Sequence, residues 1–344
     1  MAFDPSAPAQ PGSGIFGLPH QTDQARVILV PVPFDATTSY RPGAAAGPRA
    51  ILEASRQVDL FDRETGRPYA AGIALLGESE EVRSWNLEAR RAAEAVIEAG
   101  GVDPREPGLV EAAATVNGLG DRLNRWVEAT VEDWLAEGRL VGTLGGDHAV
   151  PFGAIAAHAR RYPGLGVLHL DAHADLRHAY EGFTWSHASI MHNVVTRLGG
   201  VARLVQVGIR DFSEEEHEDI ARSGGRIVTF FDQELAAERF AGGSFAAQVE
   251  RIVAALPRDV YLSFDIDGLD PTLCPHTGTP VPGGLAFHEA CFLIAQVARS
   301  GRRIVGFDLC EVAPGPPGDE WDGNVGARLL YKVIGWLLRS RERS

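Results

Sequence analysis

Short hydrophobic runs alternate along this chain with longer stretches in which apolar residues recur at helical spacing. The runs predict strands over residues 25–33, 73–76, 139–144, 165–170, 201–208, 226–230, 260–264 and 303–309. Between them the spacing predicts helices over 47–57, 86–99, 117–137, from just after His148 to about 161, and over 188–198, 213–222, 245–256, 285–299 and 325–339. Pro48 suits the first turn of the helix it opens. Gly138 suits the end of the helix over 117–137, whose apolar stripe runs through Leu119, Leu123, Val127, Val131 and Leu135. Strand–helix alternation throughout predicts an α/β fold, a parallel sheet with helices on both faces, in one domain over 25–344. Residues 1–24 are rich in Pro, Gly, Ala and Ser and predict a flexible arm. Its one apolar patch, residues 15–19, is suited to docking on the body or on a neighbouring subunit.

Ligands of open parallel sheets gather beyond the carboxyl ends of the strands. Four polar clusters fall there: His148 after the strand over 139–144, Asp171-Ala-His-Ala-Asp175 after 165–170, Asp265-Ile-Asp-Gly-Leu-Asp270 after 260–264, and Glu311 after 303–309. In an extended chain Asp171, His173 and Asp175 point to one side. Carboxylates crowded together repel unless a cation lies between them. The clusters supply four hard carboxylates (Asp171, Asp175, Asp265, Asp267) and two imidazoles (His148, His173), a set that suits a pair of Mn²⁺-type ions better than a structural zinc. Two such ions can activate a shared water to attack an electron-poor carbon without a protein nucleophile. Other polar residues read as structural. Asp147 reads as support for the Gly145-Gly146 turn, Asp270 as a turn former before Pro271, His169 as a packed histidine on the strand face opposite His173, and His158, His178 and His192 as surface or structural groups. Neither a G-x-S-x-G elbow nor a phosphate-cradling Gly-Lys-Ser/Thr loop occurs.

Composition narrows the function classes. With a net charge of −14 the chain lacks the basic balance of a general nucleic-acid binder, and its acidity mildly favours a small cationic substrate. Cys274, Cys291 and Cys310 are odd in number and far apart, which fits a reducing compartment rather than a disulfide framework. The amino terminus lacks the basic and apolar regions of a secretory signal, and no apolar stretch is long enough to span a membrane. The expected setting is cytoplasmic.

Gly145-Gly-Asp-His148, Asp171-Ala-His-Ala-Asp175 and Ser263-Phe-Asp-Ile-Asp-Gly-Leu-Asp-Pro271 together resemble the three signature motifs of the ureohydrolase family of arginases and agmatinases, in the same order, with similarity from about Val27 to Leu338. The resemblance implies a three-layer α/β/α fold and a binuclear site, usually of two Mn²⁺, that hydrolyses guanidino or amidino C–N bonds. It implies one ion held by His148, Asp171, Asp175 and Asp265, and a second held by Asp171, His173, Asp265 and Asp267. It further implies that Glu311 pairs with the substrate guanidinium and that His187 passes a proton to the departing amine, so that His187, Glu311 and Asp175 form the catalytic set. A homo-oligomer, trimer or hexamer, is the expected assembly.

Residues 181–186 lack the polar Ser/Asn-containing pattern that arginases place ahead of that histidine, which argues against arginine as substrate. Residues 33–43 and 277–284 are agmatinase-like, whereas His276 stands where agmatinases commonly have a small residue. Trp185, Phe183 and His276 are expected to shorten the tail pocket. That expectation keeps guanidine or a guanidino acid, with Ni²⁺ as the alternative ion, beside agmatine. The same motifs are compatible with a formimidoylglutamate hydrolase, which would release formamide, and with a catalytically silent binding subunit.

Overall fold

The computed structural model describes residues 3–10 and 12–342. In these residues eight strands form one sheet: β1 (Val27–Val32), β2 (Ile73–Leu75), β3 (Leu140–Gly145), β4 (Leu165–Leu170), β5 (Val201–Ile209), β6 (Ile227–Phe231), β7 (Asp259–Asp265) and β8 (Arg303–Cys310). Every pairing is parallel and the order is β2-β1-β3-β8-β7-β4-β5-β6. Among the described residues ten helices cover it: α1 (Gly47–Ser55), α2 (Glu80–Glu98), α3 (Pro107–Ala136), α4 (Phe152–Arg161), α5 (Ile190–Arg197), α6 (Glu214–Arg222), α7 (Asp232–Phe240), α8 (Phe245–Ala255), α9 (Phe287–Arg299) and α10 (Trp321–Glu342). The architecture is the three-layer α/β/α arrangement expected from the alternation. β1, β3 and β4 are buried along their whole length, because helices exclude water from both sides of a parallel sheet.

Side chains alternate between two cores. Leu29, Leu168 and Leu262 enter the larger cluster, which packs under α1, α8, α9 and α10; Val141, Val167 and Tyr261 enter the other, under α3, α4 and α5. Within the amino-terminal arm, Ile15, Phe16 and Leu18 are buried on the body. Phe16 N–H donates to Ser55 Oγ at 2.9 Å and its ring meets Tyr331 edge-on at 4.8 Å. The apolar patch therefore docks on its own subunit. None of the described helices is long and apolar enough to cross a membrane.

Three helices depart from the predicted pattern. α2 begins at Glu80, where the Ser79 hydroxyl accepts from Val82 N–H as an N-cap. α3 begins at Pro107, because the Glu111–Ala114 stretch favours helix and the interior glycines are tolerated. Gly120 is required there: a Cβ would lie 2.8 Å from Cβ of Trp185. α7 follows β6 without a turn signal and buries little beyond Asp232 and Leu235, so its hydrophobic pattern is faint.

Candidate metal centre

The strands that end in polar clusters, β3, β8, β7 and β4, are consecutive in the sheet. Their ends are also level, since Leu144 pairs with Leu309, Phe264 with Leu309 and with Leu170, and Asp265 with Cys310. The chain beyond β3 turns sharply at Gly145-Gly146. Gly146 N–H donates to Val32 O, Asp147 N–H to Phe34 O and Glu311 N–H to Gly146 O, all at 2.8–2.9 Å. A Cβ on Gly146 would lie 1.9 Å from Phe34 O, so only glycine fits. This clamp delivers His148 into the space above the sheet.

There His148 Nδ1 lies 2.9 Å from Asp171 Oδ2, 3.0 Å from Asp175 Oδ2 and 3.4 Å from Asp265 Oδ2. Its other nitrogen, Nε2, is 2.9 Å from Ser263 Oγ, which donates to Asp308 Oδ1 at 3.1 Å. Nε2 therefore carries the proton and Nδ1 directs its lone pair at three carboxylates, which is tolerable only if a proton or a cation sits among them. A second group shares Asp171: His173 Nδ1 lies 3.0 Å from Asp267 Oδ2 and 3.5 Å from Asp171 Oδ1. Asp265 stands between the groups, its Oδ1 accepting from Asp267 N–H at 2.9 Å. The structure thus brings together all six residues expected as ligands, in two donor groups that could each hold an ion.

Their electrostatics are those of an anionic nest. Burial, followed by the Asp171 charge, pushes the Asp175 carboxyl up to about 7. Burial and the neighbouring Asp267 and Asp171 hold Asp265 well above the carboxylate range. Burial alone would strip His148 of its proton, but Asp171 and Asp175 outweigh it and raise the ring well above its ordinary value. The backbone is strained at the same place: Asp175 (φ 55°) and Glu311 (φ 61°) occupy the left-handed region, at a cost of about 1–3 kcal/mol each. Asp175 in this conformation lets its carbonyl accept Met191 N–H and His192 N–H at the start of α5, both at 3.0 Å.

His169 corrects the expectation drawn from the sequence. It lies on the same strand face as Asp171, not the opposite one, because residues two apart in a strand share a face. Its Nε2 is 2.8 Å from Asp171 Oδ2, and Gln206 Nε2 donates to its Nδ1 at 3.1 Å, which fixes the proton on Nε2. Alternation alone would have found His169. Ser263, Asp308 and Gln206 carried no comparable signal, since each acts through a neighbour's side chain. Asp147 and Asp270 behave as expected: Asp147 accepts from Ala149 N–H, and Asp270 closes a turn by accepting from Thr272.

Glu311 Oε1 accepts from His148 N–H at 2.9 Å, while Oε2 is buried without a hydrogen-bond partner among the described residues. Gly278 faces it; a Cβ there would stand 3.5 Å from Oε2, so glycine keeps the approach open. Burial and then Asp147 hold Glu311 well above its ordinary pKa. His187 N–H donates to Thr37 Oγ1 (3.1 Å), its Nδ1 lies 3.3 Å from the same oxygen, and the Thr37 hydroxyl donates to Asp147 Oδ2 at 2.9 Å. The Thr37 proton being committed, His187 is protonated on Nδ1 and Nε2 is free to accept. Burial, then the charges of His173 and His148, lower its pKa to about 4.

A cavity of about 430 Å³ opens onto His173, Asp175 and His187, with Tyr40, Tyr180, Phe212 and Asp211 toward its mouth. Trp185, Phe183 and His276, expected to shorten it, do not line it. Trp185 packs on Phe152 and carries Arg197 over its ring, Phe183 is buried with Ala93, Val96 and Val116, and His276 Nδ1 is held 2.8 Å from Asp322 Oδ2.

The Arginase family matches residues 25–335 of the chain. The chain belongs to the arginase family. It is 33% identical over 324 residues to the N(1)-aminopropylagmatine ureohydrolase of Thermus thermophilus, covering 92% of this chain and 94% of that one. It is 31% identical to the agmatinase of Bacillus anthracis, covering 85% of each. The crystal structure of the agmatine ureohydrolase of Thermoplasma volcanium superposes with a TM-score of 0.72 at 25% identity, covering 94% of this chain and 93% of that one. As an arginase-family ureohydrolase, the protein is a hydrolase acting on C–N bonds.

Proposed function

We propose that this arginase-family enzyme hydrolyses the guanidino C–N bond of agmatine or a similar aminoalkyl guanidine, releasing urea and an amine, at a pair of Mn²⁺ ions, with Ni²⁺ as the alternative. The donor set fits such ions, being all carboxylate oxygen and imidazole nitrogen, with His148 oriented through its other ring nitrogen by Ser263. His148, Asp171, Asp175 and Asp265 would hold one ion. Asp171, His173, Asp265 and Asp267 would hold the other, with Asp171 and Asp265 shared. When bound, the ions supply an acidified water as the nucleophile.

The remaining work falls to side chains. Glu311 Oε2 receives the planar guanidinium in charge-assisted hydrogen bonds, and the arriving cation returns the carboxyl to its ionised form. His187, neutral near pH 7, takes a proton at Nε2 and gives it to the departing nitrogen as the C–N bond breaks. Phe212, with Tyr40 and Tyr180, which carry Arg41 and Arg177 over their rings, walls the space for an alkyl chain, and Asp211 offers a carboxylate to its far ammonium. Because Trp185, Phe183 and His276 do not line the cavity, it leaves room for an alkyl tail, which guanidine itself lacks. Two of the relatives are named for agmatine and N(1)-aminopropylagmatine, substrates of this kind.

The observation that carries this reading is the pair of donor groups sharing Asp171, one member of each (Asp175 and His173) lining a cavity that also reaches His187. Urea release is to be measured from agmatine, N(1)-aminopropylagmatine, arginine, a guanidino acid and guanidine, with Mn²⁺ or Ni²⁺ added. An aminoalkyl guanidine should be turned over fastest. Glu311→Gln should lower kcat/KM on it by about 100- to 1,000-fold. The absence of urea from every compound with either metal would end the proposal.

A further inference from the structure

A second group of metal-ligating side chains lies outside the catalytic centre and shares no residue with it. His178, His192 and Asp219 bring three ligand atoms within 4.8 Å of one another. They come from separate elements: His178 from the loop after β4, His192 from the first turn of α5, and Asp219 from the middle of α6. His178 Nε2 is 3.6 Å from Asp219 Oδ2, and the two imidazole rings stand 4.3 Å apart between centroids at 35°.

We propose that His178, His192 and Asp219 form an accessory site for a Zn²⁺-type ion, completed by water, that staples the active-site loop to α5 and α6. Two imidazoles and one carboxylate are a borderline donor set that selects Zn²⁺, Ni²⁺ or Cu²⁺ over Mg²⁺ and Ca²⁺. Metal–ligand bonds of about 2.0–2.1 Å place the donors of a tetrahedral site roughly 3.4 Å apart. The His178–Asp219 separation is already close to that. The His178 side chain is 62% exposed and free to turn through the remaining distance.

The surrounding backbone gives the staple something to hold. Asp175 O accepts from Met191 N–H and His192 N–H at 3.0 Å, Arg177 N–H donates to Ala188 O at 3.1 Å, and Leu176 N–H donates to Glu216 Oε1 at 3.0 Å. The loop is thus bound to α5 and α6, while Arg177 and Tyr180 of the same loop line the mouth of the cavity. An ion at His178 would restrain that mouth without touching a substrate.

The test compares the full-length protein with His178→Ala and with Asp219→Asn, both altered at surface side chains. Each is stripped with a chelator, dialysed against micromolar Zn²⁺ and analysed for bound metal. The wild type should hold one more Zn²⁺ per chain than either variant, and its melting temperature should rise further on Zn²⁺ addition. Mn²⁺ uptake should be the same in all three, because the catalytic donors are untouched. Equal Zn²⁺ stoichiometry in the wild type and both variants would overturn the proposal. The readout is metal content, so the result stands apart from whether the enzyme releases urea.

Discussion

Asp171 is held from several directions at once. His148 Nδ1 and His169 Nε2 both reach its Oδ2, and His173 N–H donates to its Oδ1 at 2.5 Å. Of these, His169 is the one expected to orient the carboxylate without binding metal itself. Thr229 donates to Gln206 Oε1 at 2.9 Å, Gln206 donates to His169, and His169 donates to Asp171, a chain that sets one tautomer and one ring orientation. His169→Asn should therefore weaken Mn²⁺ binding about 10- to 100-fold while leaving the far-ultraviolet dichroism unchanged. Metal titration of the stripped protein measures it, and an unchanged affinity would mean that Asp171 is oriented without this chain. The ligands themselves were legible because their residue types stand at the ends of three strands, with two-residue spacing within Asp171–Asp175 and Asp265–Asp267. The relay was not, because Gln206 and Thr229 lie on β5 and β6 and reach the site only through sheet pairing.

At the level of elements, the parallel strands were readable because burial on both faces leaves continuous apolar runs, and α10 was readable because its apolar stripe is long. The opening of α3 and the whole of α7 were not. Their helical form rests on local propensity more than on an apolar stripe, so periodicity passes over them. The turn after β3 is a different case, in which a dipeptide specifies close backbone approach. Gly145 faces Cys310 Sγ, which an added Cβ would meet at 2.4 Å, and Gly146 faces the Phe34 backbone. Gly146→Ala should cost about 1–3 kcal/mol in urea unfolding, since the obstructing atom is a carbonyl that is itself bonded to Asp147 N–H. It should also displace His148 and weaken metal binding. A variant with unchanged unfolding midpoint and metal affinity would show that the β1 and β3 ends can part without consequence.

For the molecule as a whole, residues far apart in the chain meet because β7 and β8, formed late in the sequence, insert between β3 and β4. Alternation along the chain predicts the layers but not this order, which is decided by packing. The same insertion buries His158 of α4 against the sheet. The ring donates from Nδ1 to Ala154 O at 2.8 Å, lies against Gly306 of β8, where a Cβ would come within 2.1 Å of Nε2, and meets Tyr261 of β7 edge-on at 5.0 Å. Burial lowers its pKa from 6.5 to about 4. Between those values the unfolded chain binds a proton that the folded chain refuses. Stability therefore falls as pH drops through this window and levels off below about pH 4, a loss of roughly 3 kcal/mol from this one group. His158→Asn keeps a donor in reach of Ala154 O and has no proton to gain. It should be less stable than the wild type at pH 7, yet lose less between pH 6.5 and 4. Unfolding in urea across that range, with chelator present so that the metal centre contributes equally to both proteins, measures the difference. Parallel pH dependences in the two proteins would place the acid sensitivity elsewhere and leave His158 as packing alone.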